Sequence, residues 1–345
     1  MSGLPALVVR RTIVALAMLI ALTGVTFAMY YAIPNDPAGF LVDLRKASRE
    51  EIAEAREQLG VDRSVPEQYV SYMWRLAHGD LGYSWSTTRV DRVTGETSGT
   101  PVTSTLWGAL RVSGSIVLGG VVVLLLVALP LAAAAARRPN SLFDRLVATL
   151  STVALATHPL VVALLLQLFV GSRWGVVPRD GYCALFADEN AGTFDPLAPE
   201  PCGGVLDWAS HLVLPWIAFA LFFAALYIRV TRSRLIDELA EPYVDAARAR
   251  GAGERRIVRR HAFPNTAAPL LAMLGMDIGL AAGITVYIET VFRLPGLGGL
   301  TVQALNVYGF FDLPLILGGV LVTGVIVIAV NVAVDIGQAI VDPRI

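Results

Sequence analysis

With 345 residues, 55% hydrophobic, only 16% charged and a mean hydropathy of +0.62, the chain is too poor in charge for an ordinary soluble domain, in which about a quarter of residues are charged. A formal net charge of −1 gives no electrostatic footprint for nucleic acid, and the arginines are sorted by loop rather than spread along one basic face. Six nearly uncharged segments of about 18 residues or more, each long enough for a ~30 Å hydrocarbon core, predict an all-α polytopic membrane protein in the lipid bilayer.

Arg10-Arg11 precede an apolar run over residues 12–33. That run exceeds the ~7–15 apolar residues of a secretory signal and lacks a convincing small-residue cleavage site. It is therefore expected to remain as the first span, its arginine pair acting as cytosolic flanking charge rather than a twin-arginine signal. Pro34 and Pro37 stop it. Residues 34–110 are polar and predict an extracytoplasmic domain between the first two spans. Within it, 48–59 predicts an amphipathic helix with Ser48 as N-cap, Glu51 at the capping-box position and Gly60 as its stop. Residues 65–76 predict a second helix, with Tyr69, Tyr72, Met73 and Leu76 on one face. The Gly- and Thr-rich stretch 89–100 predicts a mobile excursion.

The second span is expected over 112–136, followed by Arg137-Arg138-Pro139-Asn140, and the third over 146–170, interrupted at His158-Pro159. Loop 171–207 holds six acidic residues and both cysteines. Cys183 and Cys202 would pair as a disulfide on an oxidising side, or remain two free thiols. The fourth span is placed at 209–228, the fifth at 266–288 and the sixth at 313–334, with a short Gly-rich loop at 289–312. Between the fourth and fifth lies 229–265, with nine arginines and no lysine. Arginine placement puts Arg10-Arg11, Arg137-Arg138, Arg145 and this loop on the cytoplasmic side, so both termini are expected there. The division is then 1–33, cytoplasmic N-terminus and first span; 34–110, extracytoplasmic domain; and 111–345, a five-helix core carrying the cytoplasmic loop. No repeat relates residues 1–170 to 171–345, which counts against an inverted-repeat secondary transporter.

The only lysine, Lys46, follows no glycine-rich loop, so the chain has no P-loop and is not expected to hydrolyse ATP itself. Neither H-E-x-x-H nor G-x-S-x-G occurs, and His78, His158, His211 and His261 are dispersed. No catalytic, cofactor-binding or metal-binding residue is therefore expected in this chain. Asp277 lies ~17 Å along the fifth span from Thr266. An acid at that depth is either a functional group or one that faces a wet cavity or bonds a neighbouring helix, and a single acid rather than a relay favours the second. Asp277, Glu289 and Phe292 are the candidates for a translocation pathway or gate. Gly275, Gly279 and Gly283 share one helix face, where another helix could approach closely.

In the arginine-rich loop, Glu241-Pro242 starts a helix over 243–250 that Gly251 and Gly253 end. A second helix over 254–262 presents Ile257 and Val258 among Arg255, Arg256, Arg259 and Arg260, and Pro264 is expected to stop it before the fifth span. The helix–turn–helix formed by the two, with small alanines at its tip, is shaped for another protein's groove. The plainer reading is a solvated basic loop near anionic headgroups.

Asp245-Ala246-Ala247 with Gly251 beyond resembles the EAA loop of ABC importer permeases. The flanking Tyr243-Val244 and Arg248-Ala249-Arg250, and His261-Ala262-Phe263-Pro264-Asn265, are similar to the dipeptide/oligopeptide/nickel class. So are Ile33-Pro34-Asn35-Asp36-Pro37, Leu59-Gly60-Val61-Asp62, Gln68-Tyr69, His78-Gly79-Asp80-Leu81-Gly82-Tyr83-Ser84, Glu289-Thr290-Val291-Phe292-Arg293-Leu294-Pro295-Gly296-Leu297-Gly298 and the terminal Asp342-Pro343-Arg344. Asn35 stands where glycine is usual and Asp245 where glutamate is, while 89–100 and 181–205 resemble insertions.

The resemblance implies a type I ABC importer permease fold in the bacterial cytoplasmic membrane. It also implies a homologous second permease, two cytosolic ABC ATPase subunits that bind ATP and Mg, and an extracytoplasmic substrate-binding protein. Tyr243, Val244, Asp245, Ala246, Ala247, Arg248, Ala249, Arg250, Gly251 and Gly253 would form the ATPase-coupling element. Di- or oligopeptides are the implied substrates, with nickel chelates, glutathione or oligosaccharides in related systems. An ion-coupled peptide symporter acting alone, or a scaffold binding cytosolic proteins, are the readings from other classes.

Overall fold

Helices carry most of the described residues in the computed structural model, which describes residues 4–32, 36–90, 97–185, 201–305, 307 and 309–341. In order they are α1 (Leu4–Ala32), α2 (Arg49–Gln58), α3 (Val65–Ala77), α4 (Val102–Arg137), α5 (Leu142–Ala156), α6 (Pro159–Leu165), α7 (Val205–Leu239), α8 (Pro242–Ala249), α9 (Glu254–Ile257), α10 (Phe263–Phe292), α11 (Leu297–Ala304) and α12 (Leu313–Val341). Among the described residues, five helices are long and apolar enough to cross a membrane, and the bent pair of α5 with α6 and its continuation makes a sixth if counted as one span. The expected all-α, six-span architecture is therefore present. Large side chains such as Leu118, Leu126, Leu150 and Met276 stay exposed on the spans, as a lipid-facing surface requires.

Several helices outrun their apolar segments. α4 begins at Val102 rather than near 112, and α7 continues to Leu239 rather than ending near 228. A helix propagates for as long as residues tolerate it, so the polar Leu-Ile-Asp-Glu-Leu stretch extends α7 until Ala240 closes it. Charge marks the end of a span and says nothing about the end of a helix. The break in the third span does fall at His158-Pro159, where the two halves diverge by 106°. Proline disfavours helical backbone at the residue before it, and His158 is extended (φ −67°, ψ 138°) and caps α6 by accepting from the Leu160 amide. Beyond α6 the chain continues as a π-helical segment, Leu166–Arg173.

The chain forms two compact units: one is Met1–Val112 with Gly296–Ala329, the other Ser113–Pro295 with Val330–Ile345. In the first, the capping box at Ser48 forms as the sequence predicts: the Glu51 amide donates to Ser48 Oγ, and the Ser48 amide to the Glu51 carboxylate. Tyr72 of α3 is buried with Phe27 and Tyr30 of α1, Trp85, and Leu313 and Leu317 of α12, while Tyr69, Met73 and Leu76 pack around them. That is the face predicted for residues 65–76. Gly318 of α12 lies so close to Val102 and Leu106 that a Cβ there would approach them to 2.8 Å. The ends of the stretch expected as a mobile excursion pair in a short antiparallel ladder, Arg89 opposite Ser98 and Val90 opposite Thr97. Residues 91–96 lie outside the described residues, as do 33–35, 186–200 and the terminal Asp342-Pro343-Arg344.

In the second unit α7 is the hub, packing on α5, α6 and α10. It also meets α4 where Gly119 and Gly120 leave room for Trp216 and Phe219. A Cβ at Gly119 would stand 2.1 Å from Trp216 Nε1, and one at Gly120 2.5 Å from Phe219 Cδ1. Only glycine permits that approach. Arg232 of α7 grips Asp144 in the first turn of α5 through two N–H donors, one of them Nη2 at 2.6 Å from Oδ2. The Asn140 amide gives the same carboxylate a third bond at 2.8 Å.

Candidate coupling loop and buried polar pairs

The arginine-rich loop is a folded unit. Glu241 caps α8, Pro242 occupies a first-turn position where its missing N–H is not needed, and Gly251 turns the chain at φ +82°. The Ala252 amide then closes back onto the Ala247 carbonyl at 3.1 Å. Gly253 has φ −69° and open space around its α-carbon, so of the two glycines only Gly251 is demanded by the backbone.

Helix phase divides α8 into two faces. Val244 and Ala247 are buried in one apolar cluster with Ile257 of α9. Tyr243, Asp245, Ala246, Arg248, Ala249 and Arg250 are exposed. Ala247 is thus an internal packing residue, and the outward small residues are Ala246 and Ala249. Arg248 bridges α8 to α9, with Asp245 at 2.9 Å and Glu254 at 2.8 Å. The Tyr243 hydroxyl donates to Glu238 of α7, and Asn265 of α10 donates to the same carboxylate at 2.7 Å. Partial desolvation of its hydroxyl end, then the adjacent Glu238 carboxylate, pushes the otherwise exposed Tyr243 phenol up to about 12, so it stays a donor at any physiological pH.

Past α9 the backbone does not stop. It passes through a π turn, Val258–Ala262, straight into α10. Pro264 is the second residue of α10, directly after the π turn, and the helical path continues past it instead of ending before it.

Of the residues singled out in the fifth span, Asp277 accepts from Tyr227 Oη of α7 at 2.8 Å. Glu289 lies within α10 rather than at the head of a loop; it is buried and accepts from Ser113 Oγ of α4 at 2.6 Å. Phe292 is buried at the C-terminus of α10, and its carbonyl accepts from the Gly181 amide at 2.9 Å. Gln167 donates to the Val291 carbonyl at 2.7 Å, so the end of this helix is held from two sides. Asp277 lies twelve residues before Glu289 along α10, whereas Glu289 and Phe292 are one turn apart near its end. Gly275 is buried and Gly279 half-buried, whereas Gly283 is exposed, and a methyl group added there would meet nothing within 4 Å. Among the described residues of the second unit, close approach is seen at Gly119 and Gly120, an adjacent pair with no helical repeat to give it away.

Cys183 and Cys202 are bridged, their α-carbons 5.0 Å apart, and the Asp207 carboxylate beside them accepts from the Gly203 amide at 2.9 Å. Sequence reasoning missed two further polar anchors. One is the Arg232–Asp144 pair. The other is Asp312, fully buried, which accepts from Ser84 Oγ at 2.5 Å and from the amides of Ser86, Trp85 and Leu315 at 3.1, 3.2 and 3.3 Å. A charged residue directly before a long apolar run, in a segment with no role for it, was the available signal.

Two family models match the chain. One, described as binding-protein-dependent transport system inner membrane component, covers residues 127–345; its N-terminal counterpart covers residues 5–88. A peptide permease protein of Brucella suis biovar 1 (strain 1330) is 31% identical over 339 residues, 97% of each chain. The dipeptide transport system permease protein DppB of Escherichia coli (strain K12) is 28% identical over 345 residues, 98% of each chain. Among solved structures, a chain from the MetNI methionine ABC transporter superposes with a TM-score of 0.50 at 15% identity, covering 70% of this chain and 96% of that one, a likeness of fold alone.

Proposed function

Since this chain belongs to the binding-protein-dependent transport system inner membrane components, a family of multi-pass inner-membrane permeases, we infer that it forms half of the translocation pathway of an ATP-driven importer of di- and oligopeptides. The peptide substrate rests on the names of its relatives. In this reading a homologous permease supplies the other half, two cytosolic ATPases bind ATP and Mg, and an extracytoplasmic protein delivers the substrate to the segment around α2 and α3.

The observation that carries the coupling role is the two-faced α8. Its inner face is fastened to Ile257, and its outer face, with Ala246 and Ala249 flanked by Asp245 and Arg250, is free for a partner's groove. A push on that face would not be absorbed by the loop. Arg248 ties α8 to α9, and Tyr243 ties it to Glu238 at the end of α7, where Asn265 at the start of α10 also bonds. Force on α8 therefore reaches two spans, and rigid elements joined to rocking helices are what a transmitted domain motion requires. The disulfide at Cys183–Cys202 supports an oxidising, extracytoplasmic location for its loop and so the assigned orientation, with both termini in the cytoplasm.

The test is ATP-dependent dipeptide uptake into vesicles that hold the assembled complex, with and without Ala246→Arg. Uptake at the wild-type rate in that variant would sink the coupling assignment. Accumulation driven by a pH gradient in vesicles holding this chain alone would favour a symporter instead.

A further inference from the structure

Five arginines line a single cleft of about 730 Å³ in the second unit: Arg137 in the last turn of α4, and Arg255, Arg256, Arg259 and Arg260 on α9 and the π turn. All five are solvent-exposed, and among the described residues none has an ion-pair partner. The contrast within the same loop is sharp. Arg232 is paired with Asp144, and Arg248 with Asp245 and Glu254. Glu254, the acid nearest in sequence to the cleft, is thereby already engaged. Five like charges around one concavity repel each other until an anion joins them.

The cleft's depth in the molecule says which anion. Arg137 is the last residue of an apolar span, Val102–Arg137, so the cleft opens where hydrocarbon gives way to headgroups. Just beyond it α5 begins with Leu142, Phe143 and Leu146 exposed, an apolar surface suited to acyl chains. The cleft is built from α4, α9 and the π turn, and not from the outer face of α8 where a cytosolic partner is placed. Guanidinium groups present paired N–H donors that match phosphate oxygens in a bidentate manner. We propose that this cleft is a binding site for the phosphate of an anionic phospholipid. It requires that the spans cross a bilayer and is independent of whether α8 couples to an ATPase.

The experiment is lipid titration of the purified full chain in detergent, with bound lipid counted by native mass spectrometry. Phosphatidylglycerol is the probe, phosphatidylcholine the zwitterionic reference and inorganic phosphate the competitor. Wild type is expected to retain phosphatidylglycerol over phosphatidylcholine, and Arg255→Gln/Arg259→Gln to weaken that retention roughly tenfold or more. Arg229→Gln/Arg234→Gln, exposed arginines outside the cleft, should change it little. Equal losses in both double variants would reduce the effect to general loop charge and overturn the site. Displacement of the lipid by inorganic phosphate would make it a free-anion site and overturn the lipid assignment. So would absence of any phosphatidylglycerol preference while the cleft variant loses an acidic cytosolic protein in pull-down. Should the glutamine variant misfold, the wild-type competition still decides, and Arg255→Lys/Arg259→Lys, with charge kept, should retain most binding.

Discussion

Ala247 packs against Ile257 inside the arginine-rich loop, while its neighbour Ala246 faces out. The two alanines therefore predict opposite failures. Ala247→Arg forces a charged, oversized side chain into a filled cluster and should destabilise the loop by about 1–3 kcal/mol, visible as a lower melting temperature of the purified chain. Ala246→Arg should leave melting unchanged and abolish ATP-driven uptake. A melting loss of similar size in both would mean that the two faces are assigned wrongly.

The two loop glycines separate in the same way. Gly251 sits at φ +82°, so Gly251→Ala should cost roughly 1–2 kcal/mol. Gly253 is at φ −69° in open space, so Gly253→Ala should stay within about 0.5 kcal/mol. Thermal unfolding of the two variants side by side is sufficient, and equal costs would contradict the turn geometry.

Gly120→Ala would set a methyl group 2.5 Å from the Phe219 ring and should destabilise the packing of α4 on α7 by about 1–3 kcal/mol. Gly283→Ala meets none of the described residues within 4 Å and should leave the chain's melting intact. If the Gly283 face meets the second permease, the same variant should weaken co-purification of the two subunits.

Asp312 serves four donors at once, three of them within the Ser84-Trp85-Ser86 stretch. Asp312→Ala strands those donors and should cost about 1–3 kcal/mol per group left unsatisfied, in the first unit only. Amide hydrogen exchange should quicken at residues 84–88 and not in α8. Exchange that rises evenly along the chain would argue for global unfolding instead.

A pH dependence follows from Asp36, whose carboxyl is held below the usual carboxylate range by the Arg56 guanidinium, which donates Nη2–H at 2.6 Å. The folded value is depressed relative to the unfolded one, so the contribution is present in full above the unfolded pKa of about 4 and lost as pH falls through the folded value. The melting difference between wild type and Asp36→Asn should accordingly be constant near neutrality and shrink below about pH 4. A difference that grows on acidification would reverse the sign and refute the pairing.

What the sequence disclosed was whatever acts over a few residues or repeats along an element. The Ser48–Glu51 capping box, the Tyr69/Tyr72/Met73/Leu76 face, the break at His158-Pro159 and the Gly251 turn are all local, and each forms as expected. Arg232 with Asp144, Asp312 with Ser84, and Gly119 with Trp216 join residues far apart in the chain, and no spacing rule links them. Ala247 is a different case. Val244 and Ala247 are three apart on a helix that has few other apolar side chains, so the inward face is legible from phase, whereas the family likeness marks the alanines only as a set. Pro264 departs from expectation in that the helical path continues past it, as it does past Pro130 in α4, Pro215 in α7 and Pro269 in α10.

The π turn at Val258–Ala262 sets the rotational phase of everything that follows it in α10. Such a turn accommodates one residue more than an α-helical turn, and one residue is worth about 100° of azimuth. Deleting a single residue there would leave the span as long and as apolar as before. It would also swing Asp277 away from Tyr227 and Glu289 away from Ser113 together, so the loop dictates which side of the fifth span looks inward.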